Sequence, residues 1–491
     1  MTNSENYFEQ FRRNIVGIDA EFKSPYGMQK LIYADWIASG RLYAPIEDLM
    51  KNKFGPMVGN THSEASETGV VMTNLYHEAK NIIKKHVNAS PDDYLITEGS
   101  GMTGAAAKLQ RILGLKIPGG AKKYMKNIPE NERPVVFITY MEHHSNHISW
   151  LETTADVVVL LPEDDEMNFA GELEKQLQKY KNRKLKIGSF TAGSNVTGII
   201  PDYYKLAEIM HKHGGYAFID FAASAPYIKI DMHPENPEQY LDAVFFSPHK
   251  ALGGPGSSGV LVFNKKLYDK NQAPDHPGGG TVLWTNRWNE YAYFDDVELR
   301  EDGGTPAFLQ TMRIALTLKL KEKMQCDNIL KREHQLIDFI FDEFEKIDNL
   351  HILAGKYRDR IGAISFYHEK IHHNLIVKLL NDRFGIQVRG GCSCAGTYGH
   401  YLLNVTKDES HRITDKINKG DLSEKPGWVR LSVHPTMRDE EARFITDALK
   451  SIIENISEWE KDYVFDKSSG EFFHKDFPRH KPEAFENWFS I

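Results

Sequence analysis

Six short runs of consecutive apolar residues dominate the hydrophobic pattern of the chain. They are VVFITY, DVVVLLP, LKIGSF, YAFIDF, AVFFS and GVLVF, at 135–140, 156–162, 185–190, 216–221, 243–247 and 259–263. Strands that are buried on both faces have continuous apolar runs of this kind, because helices cover both sides of their sheet. A helical pattern at 202–214 lies between two of the runs. The region therefore predicts an α/β fold with a largely parallel sheet.

Helical periodicity precedes this region. Residues 66–90 have an apolar stripe on one face, which predicts a long amphipathic helix. The segment 118–134, rich in glycine and charge, predicts a surface loop. A shorter helix is predicted near the N-terminus, where apolar residues recur at helical spacing: Tyr7, Phe8, Phe11 and Ile15.

The pattern changes after about residue 308. Helical periodicity appears at 308–324, 336–347 and 440–456, and the apolar stretch at 360–368 predicts a strand. These elements predict a second, smaller α+β domain. The tail from about residue 460 is aromatic and charged without a clear period.

Composition excludes several classes of protein. The chain has 491 residues, 41% hydrophobic and 26% charged, with a net charge of −8. Scattered lysines and arginines in an acidic chain argue against nucleic acid or an anionic membrane as the main partner. We expect no secretory signal, because the first residues contain no apolar stretch of that kind, and no run of about 18 apolar residues could span a membrane. Three cysteines cannot form a disulfide framework, so we expect a cytoplasmic protein with free thiols.

The most informative stretch is FFSPHKALGGPGSSGVLVF at 245–263, where an apolar strand ends in Ser-Pro-His-Lys before a glycine-rich turn. A lysine at the end of a buried strand is partly desolvated, so its free amine is available for Schiff-base chemistry. The glycines let the backbone approach a bulky ligand. From this stretch alone, Lys250 could equally be a surface lysine beside a turn.

Ser-Pro-His-Lys with its glycine-rich turn resembles the pyridoxal phosphate lysine segment of the class V aminotransferase family, which contains cysteine desulfurases and selenocysteine lyases. Further stretches resemble the family in the same order over about residues 33–450. The resemblance implies a fold-type-I pyridoxal phosphate-dependent transferase. Such a protein has a large domain with a mainly parallel seven-stranded sheet and a smaller α+β domain. It also implies that Lys250 binds the cofactor covalently.

Two stretches resemble the family's phosphate-binding parts. In ITEGSGMTGAAAKL, at 96–109, small residues open a helix, and free N–H groups at a helix N-terminus suit a phosphate. Ser100 and Gly101 lie there, although an ordinary helix cap would explain them too. The resemblance adds Ser247 and His249 as phosphate contacts beside Lys250.

Three residues are implied to contact the cofactor ring. His143, in MEHHSNHISW, would stack on the ring, and Asn195, in SNVTGIIPD, would contact the phenolic oxygen. Asp220 ends an apolar strand, where a carboxylate needs a cationic partner such as the pyridinium nitrogen. As alternatives, His143 could be a hydrogen-bonded core histidine, Asn195 could belong to a plain turn, and Asp220 could cap the next helix.

One position departs from the family pattern. Desulfurases usually have a glutamine three residues after the aspartate, but Ala223 stands there and Ser224 follows it. This departure affects the assignment as a desulfurase more than the assignment of the cofactor.

Two further stretches are implied to complete the site. Arg430, in GWVRLSVHPTM, would bind the substrate carboxylate, because a guanidinium grips a carboxylate bidentately. A surface ion pair is the alternative role for it. Thr305, in REDGGTPA, would reach the phosphate of the neighbouring subunit, which implies a homodimer with composite sites.

The cysteine stretch RGGCSCA fits the family's Arg-x-Gly-x-x-Cys-Ala. Cys394 is then the aligned nucleophile, and the cation of Arg389 beside it favours a reactive thiolate and adds a substrate contact. Cys392 is an additional cysteine. The alternatives are a purely structural role or a metal site with His400 as third ligand, although Cys-x-Cys is unusual for structural zinc. We expect no metal.

The domains follow from these assignments. We expect an N-terminal segment packing with the small domain at 1–45 and a large cofactor-binding domain at 46–308. A small C-terminal domain at 309–459 and an extension at 460–491 would follow.

The predicted activity is that of a cysteine desulfurase, which converts L-cysteine to L-alanine and leaves a persulfide on Cys394, or of a selenocysteine lyase. A sulfur-acceptor protein is then a potential partner. The first alternative is a pyridoxal phosphate-dependent aminotransferase, β-lyase or epimerase without persulfide chemistry. A non-catalytic cofactor-binding protein is the second.

Overall fold

A computed structural model describes residues 3–61, 65–124, 128–162, 167–477 and 482–490. Parts of the predicted loop at 118–134 and of the C-terminal extension lie outside these ranges. The α-helices are α1 (Asn3–Arg12), α2 (Ala44–Asp48), α3 (Glu67–His86), α4 (Gly101–Ile112), α5 (His144–Leu151), α6 (Ala170–Lys179), α7 (Tyr203–Lys212), α8 (Val297–Arg300), α9 (Phe308–Met324), α10 (Cys326–Phe344), α11 (His373–Phe384), α12 (Gly396–Leu402), α13 (Lys407–Asn418) and α14 (Asp439–Trp459).

The strands fall into two main sheets and several short pairs. They are β1 (Glu21–Ser24), β2 (Gly27–Lys30), β3 (Ile32–Tyr33), β4 (Asp93–Glu98), β5 (Val135–Thr139), β6 (Asp156–Leu160), β7 (Lys186–Thr191), β8 (Tyr216–Asp220), β9 (Ala243–Phe246), β10 (Gly259–Asn264), β11 (Val282–Thr285), β12 (Tyr291–Tyr293), β13 (Leu350–Ile352), β14 (Ala363–His368), β15 (Ile386–Gln387), β16 (Arg389–Gly391), β17 (Trp428–Ser432), β18 (Tyr463–Asp466) and β19 (Glu471–His474).

The larger sheet has seven strands in the order β4-β10-β9-β8-β7-β5-β6. Each of the six apolar runs forms one of its strands, and β4 is the seventh. Neighbours from β6 to β9 are parallel, whereas β10 is antiparallel to both β9 and β4. Every residue of β5, β7 and β9 is buried, which explains why their sequences do not alternate. The predicted, largely parallel sheet is confirmed.

The carboxyl ends of the parallel strands meet at one edge of this sheet. Asp220 ends β8, Lys250 follows β9 by a short turn, and His143 follows β5. Asn195 lies in the loop after β7. Ligands of open α/β sheets bind at this edge, so the fold brings residues that are far apart in the sequence to one place.

The smaller sheet has four strands in the antiparallel order β13-β14-β17-β16. The helices predicted at 308–324 and 440–456 correspond to α9 and α14, whereas α10 begins ten residues before the predicted 336. Residues before position 45 contact this part of the chain, through the parallel pair β3–β15 and an ion pair of Arg12 with Glu441 at 2.7 Å. The domain boundaries stay predictions.

The segment 402–427 and the C-terminal extension contain elements that the sequence patterns did not reveal. Helix α13 begins with a capping box, in which Thr406 and Glu409 satisfy each other's backbone N–H groups. Strands β18 and β19 form a hairpin, and the Leu422 N–H donates to the carbonyl oxygen of Lys467 at 2.8 Å. Segment and extension therefore lie against each other. Among the described helices, none is both long and apolar enough to cross a membrane.

Candidate active site

A cavity of about 200 Å³ lies at the carboxyl edge of the seven-stranded sheet, where the four-stranded sheet meets it. It brings together most of the predicted site residues. Those that line it are Ser100, His143, Asn195, Asp220, Ser247, His249, Lys250, Arg389, Cys394 and Arg430.

Lys250 lines this cavity together with the carboxylate of Asp220 and the guanidinium groups of Arg389 and Arg430. Burial, together with the nearby guanidinium groups of Arg430 and Arg389, lowers its pKa from an ordinary value of 10.5 to about 8. The carboxylate of Asp220 and the thiol of Cys394 oppose this shift. About one tenth of Lys250 is therefore an uncharged amine at pH 7, far more than for an ordinary lysine.

Asp220 is a buried carboxylate whose charge is incompletely compensated. Its Oδ1 accepts a hydrogen bond from the Ala222 N–H at 2.7 Å, and within the described ranges no salt bridge reaches it. Burial raises its pKa to about 6, against the opposing effects of this hydrogen bond and of the Lys250 charge. A cationic group bound beside Asp220 would stabilise the ionised form.

His143 and Asn195 line the cavity with one polar atom each already engaged. The Nδ1 of His143 accepts from the Ser145 N–H at 3.1 Å, so His143 caps α5. Burial and, next, the charge of Lys250 lower its pKa to about 3, so its ring is neutral. The Nδ2 of Asn195 donates to the Ser393 carbonyl oxygen at 2.7 Å, whereas the buried Asn195 Oδ1 has no hydrogen-bond partner among the described residues.

The N-terminus of α4 forms a small cradle with Ser247 and His249 at the cavity. Gly101 has φ +62°, and a Cβ built on it would lie 2.9 Å from His249 Cε1 and 3.0 Å from Ser247 Oγ. The Ser247 Oγ accepts a hydrogen bond from the Met102 N–H at 2.8 Å, so its own proton is free to reach a ligand. Both the left-handed backbone and the close approach require glycine at position 101.

Replacing Gly101 with alanine should weaken cofactor binding by at least about tenfold, or about 1.4 kcal/mol. The added methyl group displaces His249 and Ser247, and the left-handed backbone costs a further 1–2 kcal/mol, approximately, in folding stability. Titration of the cofactor-free protein with pyridoxal phosphate, followed by absorbance, measures the first effect, and thermal unfolding measures the second.

Gly114 supplies the matched control for this substitution. It has φ +68°, but nothing lies within 4 Å of a Cβ built on it. Gly114→Ala should therefore lose similar stability with unchanged cofactor affinity. Equal losses of affinity in the two variants would show that the α4 cradle does not contact the cofactor.

Asp35 joins the two arginines of the site and was not found from the sequence. Arg389 and Arg430 are directly paired residues of β16 and β17, an arrangement in which like charges repel. The Asp35 Oδ1 accepts from Arg430 Nη2 at 2.6 Å, and its Oδ2 lies 3.2 Å from Arg389 Nε. Arg430 also donates from Nη1 to the Asn195 carbonyl oxygen at 3.1 Å. These contacts hold the guanidinium of Arg430 at the cavity wall.

Cys394 lies on a strained loop between β16 and α12. Ser393 and Cys394 have φ +51° and +56°, a conformation that costs non-glycine residues about 1–2 kcal/mol each. The Asn195 amide fixes the Ser393 carbonyl group, and the His144 N–H donates to the Cys394 carbonyl oxygen at 2.8 Å. The loop thus holds an exposed thiol at the cavity wall. Strain of this kind, held by the surrounding structure, is typical of functional sites.

Two histidines that the sequence analysis did not assign anchor the same loop. His144 accepts the Gly396 N–H on its Nε2 at 2.9 Å, in addition to its backbone contact with Cys394. The Nδ1 of His147 lies 3.2 Å from Thr397 Oγ1. The repeated histidines of MEHHSNH were the available signal, because their spacing puts them on adjacent turns of one short helix.

Ala223 lines the cavity, whereas Ser224 is fully buried and does not.

The described residues include no group of three or more His, Cys, Asp or Glu placed to hold a metal ion. Both ring nitrogens of His400 are engaged, by the Gly396 carbonyl oxygen and by Ser410 Oγ. The structure therefore does not form the alternative cluster of Cys392, Cys394 and His400.

Thr305 is exposed and does not line the cavity of its own chain. It follows Gly304, whose N–H donates to the Gly279 carbonyl oxygen at 2.7 Å, close to the β11–β12 hairpin. This hairpin presents Trp284 and Trp288 to solvent at 48% and 67% exposure.

The donor set fits pyridoxal phosphate. Among the described residues, a buried carboxylate without a salt bridge, an amide oxygen without a hydrogen-bond partner, a glycine-opened helix N-terminus and a lysine with a lowered pKa meet at one cavity. Together with the seven-stranded sheet, these features define a fold-type-I pyridoxal phosphate-dependent enzyme.

The chain belongs to the class-V aminotransferase family, whose pattern it matches over residues 32–443. A probable cysteine desulfurase from Halalkalibacterium halodurans is 28% identical over 373 residues, 74% of this chain and 84% of that relative. One from Staphylococcus aureus is 27% identical over 373 residues, 75% of this chain and 84% of that relative.

Two solved structures share the fold at 20% sequence identity. The structure of a cysteine desulfurase from Thermococcus onnurineus has a TM-score of 0.72 and matches 91% of this chain and 98% of its own. That of a cysteine desulfurase from Escherichia coli has a TM-score of 0.70 and matches 92% and 99%. The predicted fold class and family are confirmed.

Proposed function

We propose that the protein is a pyridoxal phosphate-dependent cysteine desulfurase, which converts L-cysteine to L-alanine and takes the sulfur as a persulfide on Cys394. Selenocysteine is a second substrate of the same chemical class. The observation that carries the proposal is that Cys394 lines the same cavity as Lys250. It lies on a loop that the surrounding contacts hold in a strained conformation. The relatives named as cysteine desulfurases support it.

Arg430 binds the substrate carboxylate in this proposal. Its guanidinium is buried, is fixed on one side by Asp35, and its Nε has no hydrogen-bond partner among the described residues. Arg389, which is half exposed, provides a second cation beside it. Two guanidinium groups at one wall orient an amino acid with its side chain toward Cys394.

The cofactor, when bound, withdraws electrons from the α-carbon of the amino acid. Lys250 binds it covalently and moves the α-proton, because an amine with a pKa of about 8 both accepts and returns a proton near neutral pH. Asp220 would lie at the ring nitrogen and His143 would cover the ring face. Ser100, Gly101, Ser247 and His249 would hold the phosphate, and Asn195 would contact the phenolic oxygen.

Cys394 then performs the sulfur transfer. Its thiolate attacks the substrate sulfur, so an S–S bond forms as the Cβ–S bond of the substrate breaks, with the electron pair left on the carbon side. The β-carbon takes up the proton that the Cys394 thiol gave up, Lys250 returns the α-proton, and the carbon skeleton leaves as alanine. The sulfur remains as a persulfide on Cys394 and no external oxidant is consumed.

A second candidate is an aminotransferase, β-lyase or epimerase that keeps the cofactor chemistry without the persulfide. It is favoured by Ala223, which lines the cavity at the position of the family's glutamine, since a methyl group cannot replace an amide.

Product analysis with purified, cofactor-loaded protein tests the proposal. L-Cysteine with a thiol reductant should yield alanine and sulfide in equal amounts, and selenocysteine should yield alanine and selenide. Pyruvate and ammonia from cysteine would instead identify a β-lyase. If neither substrate yields alanine, the desulfurase proposal is wrong.

Asp35 is a positioning residue in this account. Asp35→Asn removes the negative charge that contacts both Arg389 and Arg430 but keeps the size of the side chain. We expect KM for cysteine to rise about tenfold with kcat within about threefold of wild type, because ground-state binding of the carboxylate is lost. Steady-state kinetics measure both constants.

Asp19→Asn is the matched control, since Asp19 forms an exposed ion pair with Lys30 at 2.9 Å. It should change neither constant, because exposed ion pairs contribute little. An unchanged KM in Asp35→Asn would contradict the positioning role.

We infer a homodimer that works in the cytoplasm with a sulfur-acceptor protein. The exposed tryptophans of the β11–β12 hairpin are typical of a surface that another protein chain buries. Thr305, close to this hairpin, would contact the cofactor phosphate of the partner subunit. Light scattering should give twice the chain mass of 56.1 kDa. A reducing compartment suits the cysteines, none of which is in a disulfide.

A further inference from the structure

A second cavity, of about 310 Å³, lies on the far side of the cysteine loop. Arg389, Ser393 and Cys394 line both cavities, so the loop is the wall between them. Cys392 lines only the second cavity. The two cysteines, one residue apart, therefore differ in what they face.

The outer side of the second cavity is built by the two parts of the chain that the proposed reaction does not use. Leu422, Lys425 and Pro426 come from the segment 402–427. Ser469 and Gly470 come from the turn of the β18–β19 hairpin, and Glu471 is the first residue of β19. The Leu422 N–H donates to the Lys467 carbonyl oxygen, and Asn374 Nδ2 donates to the Gly470 carbonyl oxygen at 2.7 Å. The segment 402–427 and the β18–β19 hairpin therefore together enclose the space next to Cys392.

We propose that Cys392 is a second sulfur carrier, which takes the outer sulfur of the persulfide from Cys394 and presents it in the second cavity to an acceptor thiol. This inference rests on the proposed desulfurase function. The Cys392 thiolate attacks the outer sulfur, an S–S bond forms on Cys392, and the S–S bond to Cys394 breaks with its electron pair returning to the Cys394 thiolate. The step is an exchange without net oxidation.

The relay separates amino-acid chemistry from sulfur delivery. Cys394 is then free to react with the next substrate in the cofactor cavity, while the sulfur remains bound to Cys392 in the second cavity. The acceptor is a thiol in either case, whether a small molecule or a cysteine on an extended protein segment that enters the second cavity.

The experiment uses the full-length enzyme loaded with pyridoxal phosphate, one equivalent of ³⁵S-labelled L-cysteine and no added thiol. After alkylation at successive times, peptide fragmentation at Ser393 tells which cysteine carries the extra sulfur. We expect the sulfur first on Cys394 and later on Cys392. Cys392→Ser should confine it to Cys394 and slow its transfer to dithiothreitol about tenfold, since only the shared wall then gives access.

Cys326→Ser is the control, because Cys326 begins α10 and lines neither cavity. It should give the wild-type distribution and transfer rate. Cys392→Ala repeats the test with a second side chain, so that a folding defect of one variant does not decide the outcome.

Two results would overturn the relay. In the first, the wild type keeps all of its extra sulfur on Cys394 and both Cys392 variants transfer it at the wild-type rate. In the second, Cys394→Ser still accumulates sulfur on Cys392, which would make Cys392 the direct nucleophile. Absence of both alanine and extra sulfur in the wild type would overturn the desulfurase proposal itself, and the relay with it.

Discussion

Lys250→Ala should lower the rate of alanine formation from cysteine by at least about 10³-fold. The substitution removes both the covalent attachment of the cofactor and the group that moves the α-proton. The fold should survive, because the amine is desolvated in the cavity and its pKa is lowered to about 8, so its removal relieves a burial cost. Turnover, together with borohydride reduction followed by peptide mapping, measures the effect.

The wild-type chain contains its own control for the borohydride reduction. Burial also lowers the pKa of Lys321 to about 8, but this lysine donates to the Ile228 carbonyl oxygen, away from the cavity. The reduced cofactor should be found on Lys250 and not on Lys321. A covalent adduct that persists unchanged in Lys250→Ala would refute the assignment of the cofactor lysine.

Cys394→Ser should reduce alanine formation from cysteine to below about one-hundredth of the wild-type rate, because a hydroxyl cannot accept the substrate sulfur. The thiol does not hold the cofactor, so the absorbance of the bound cofactor should be unchanged. Serine keeps the loop geometry, whose hydrogen bonds involve the backbone carbonyl group of residue 394. Alanine assay and absorbance spectroscopy on the same preparation separate the two effects.

Turnover of selenocysteine distinguishes two kinds of failure in this variant. A weaker carbon–selenium bond needs less help from the thiol, so residual activity on selenocysteine is compatible with the mechanism. Full turnover of cysteine by Cys394→Ser, however, would show that the persulfide mechanism is wrong.

The central sheet could be predicted from the sequence because burial leaves a local signal. Each continuous apolar run became a strand, and the helical pattern at 202–214 became α7. The antiparallel direction of β10 left no such signal, because direction is decided by the connection between strands rather than by the strand itself. The hairpin β18–β19 was missed although Ser468, Ser469 and Gly470 separate two aromatic pairs, since four-residue strands give too short a pattern.

The candidate site was predicted through residues that carry unusual chemistry for their position, such as Lys250 and Asp220 at strand ends. Asp35 was missed because nothing in YADW marks it. Its role arises from the register that sets Arg389 opposite Arg430, a pairing between residues 41 positions apart. His144 was missed for a related reason, because its partner Gly396 is distant in the sequence. Contacts of this kind depend on tertiary packing and leave no periodicity.

The most direct test of the account is a single turnover of the wild-type enzyme with L-cysteine and no added thiol. Alanine and protein-bound persulfide are quantified together, and the persulfide is located by mass spectrometry. We expect one alanine and one persulfide sulfur per active site, with the sulfur first appearing on Cys394. Alanine or pyruvate formed without any persulfide on the protein would contradict it.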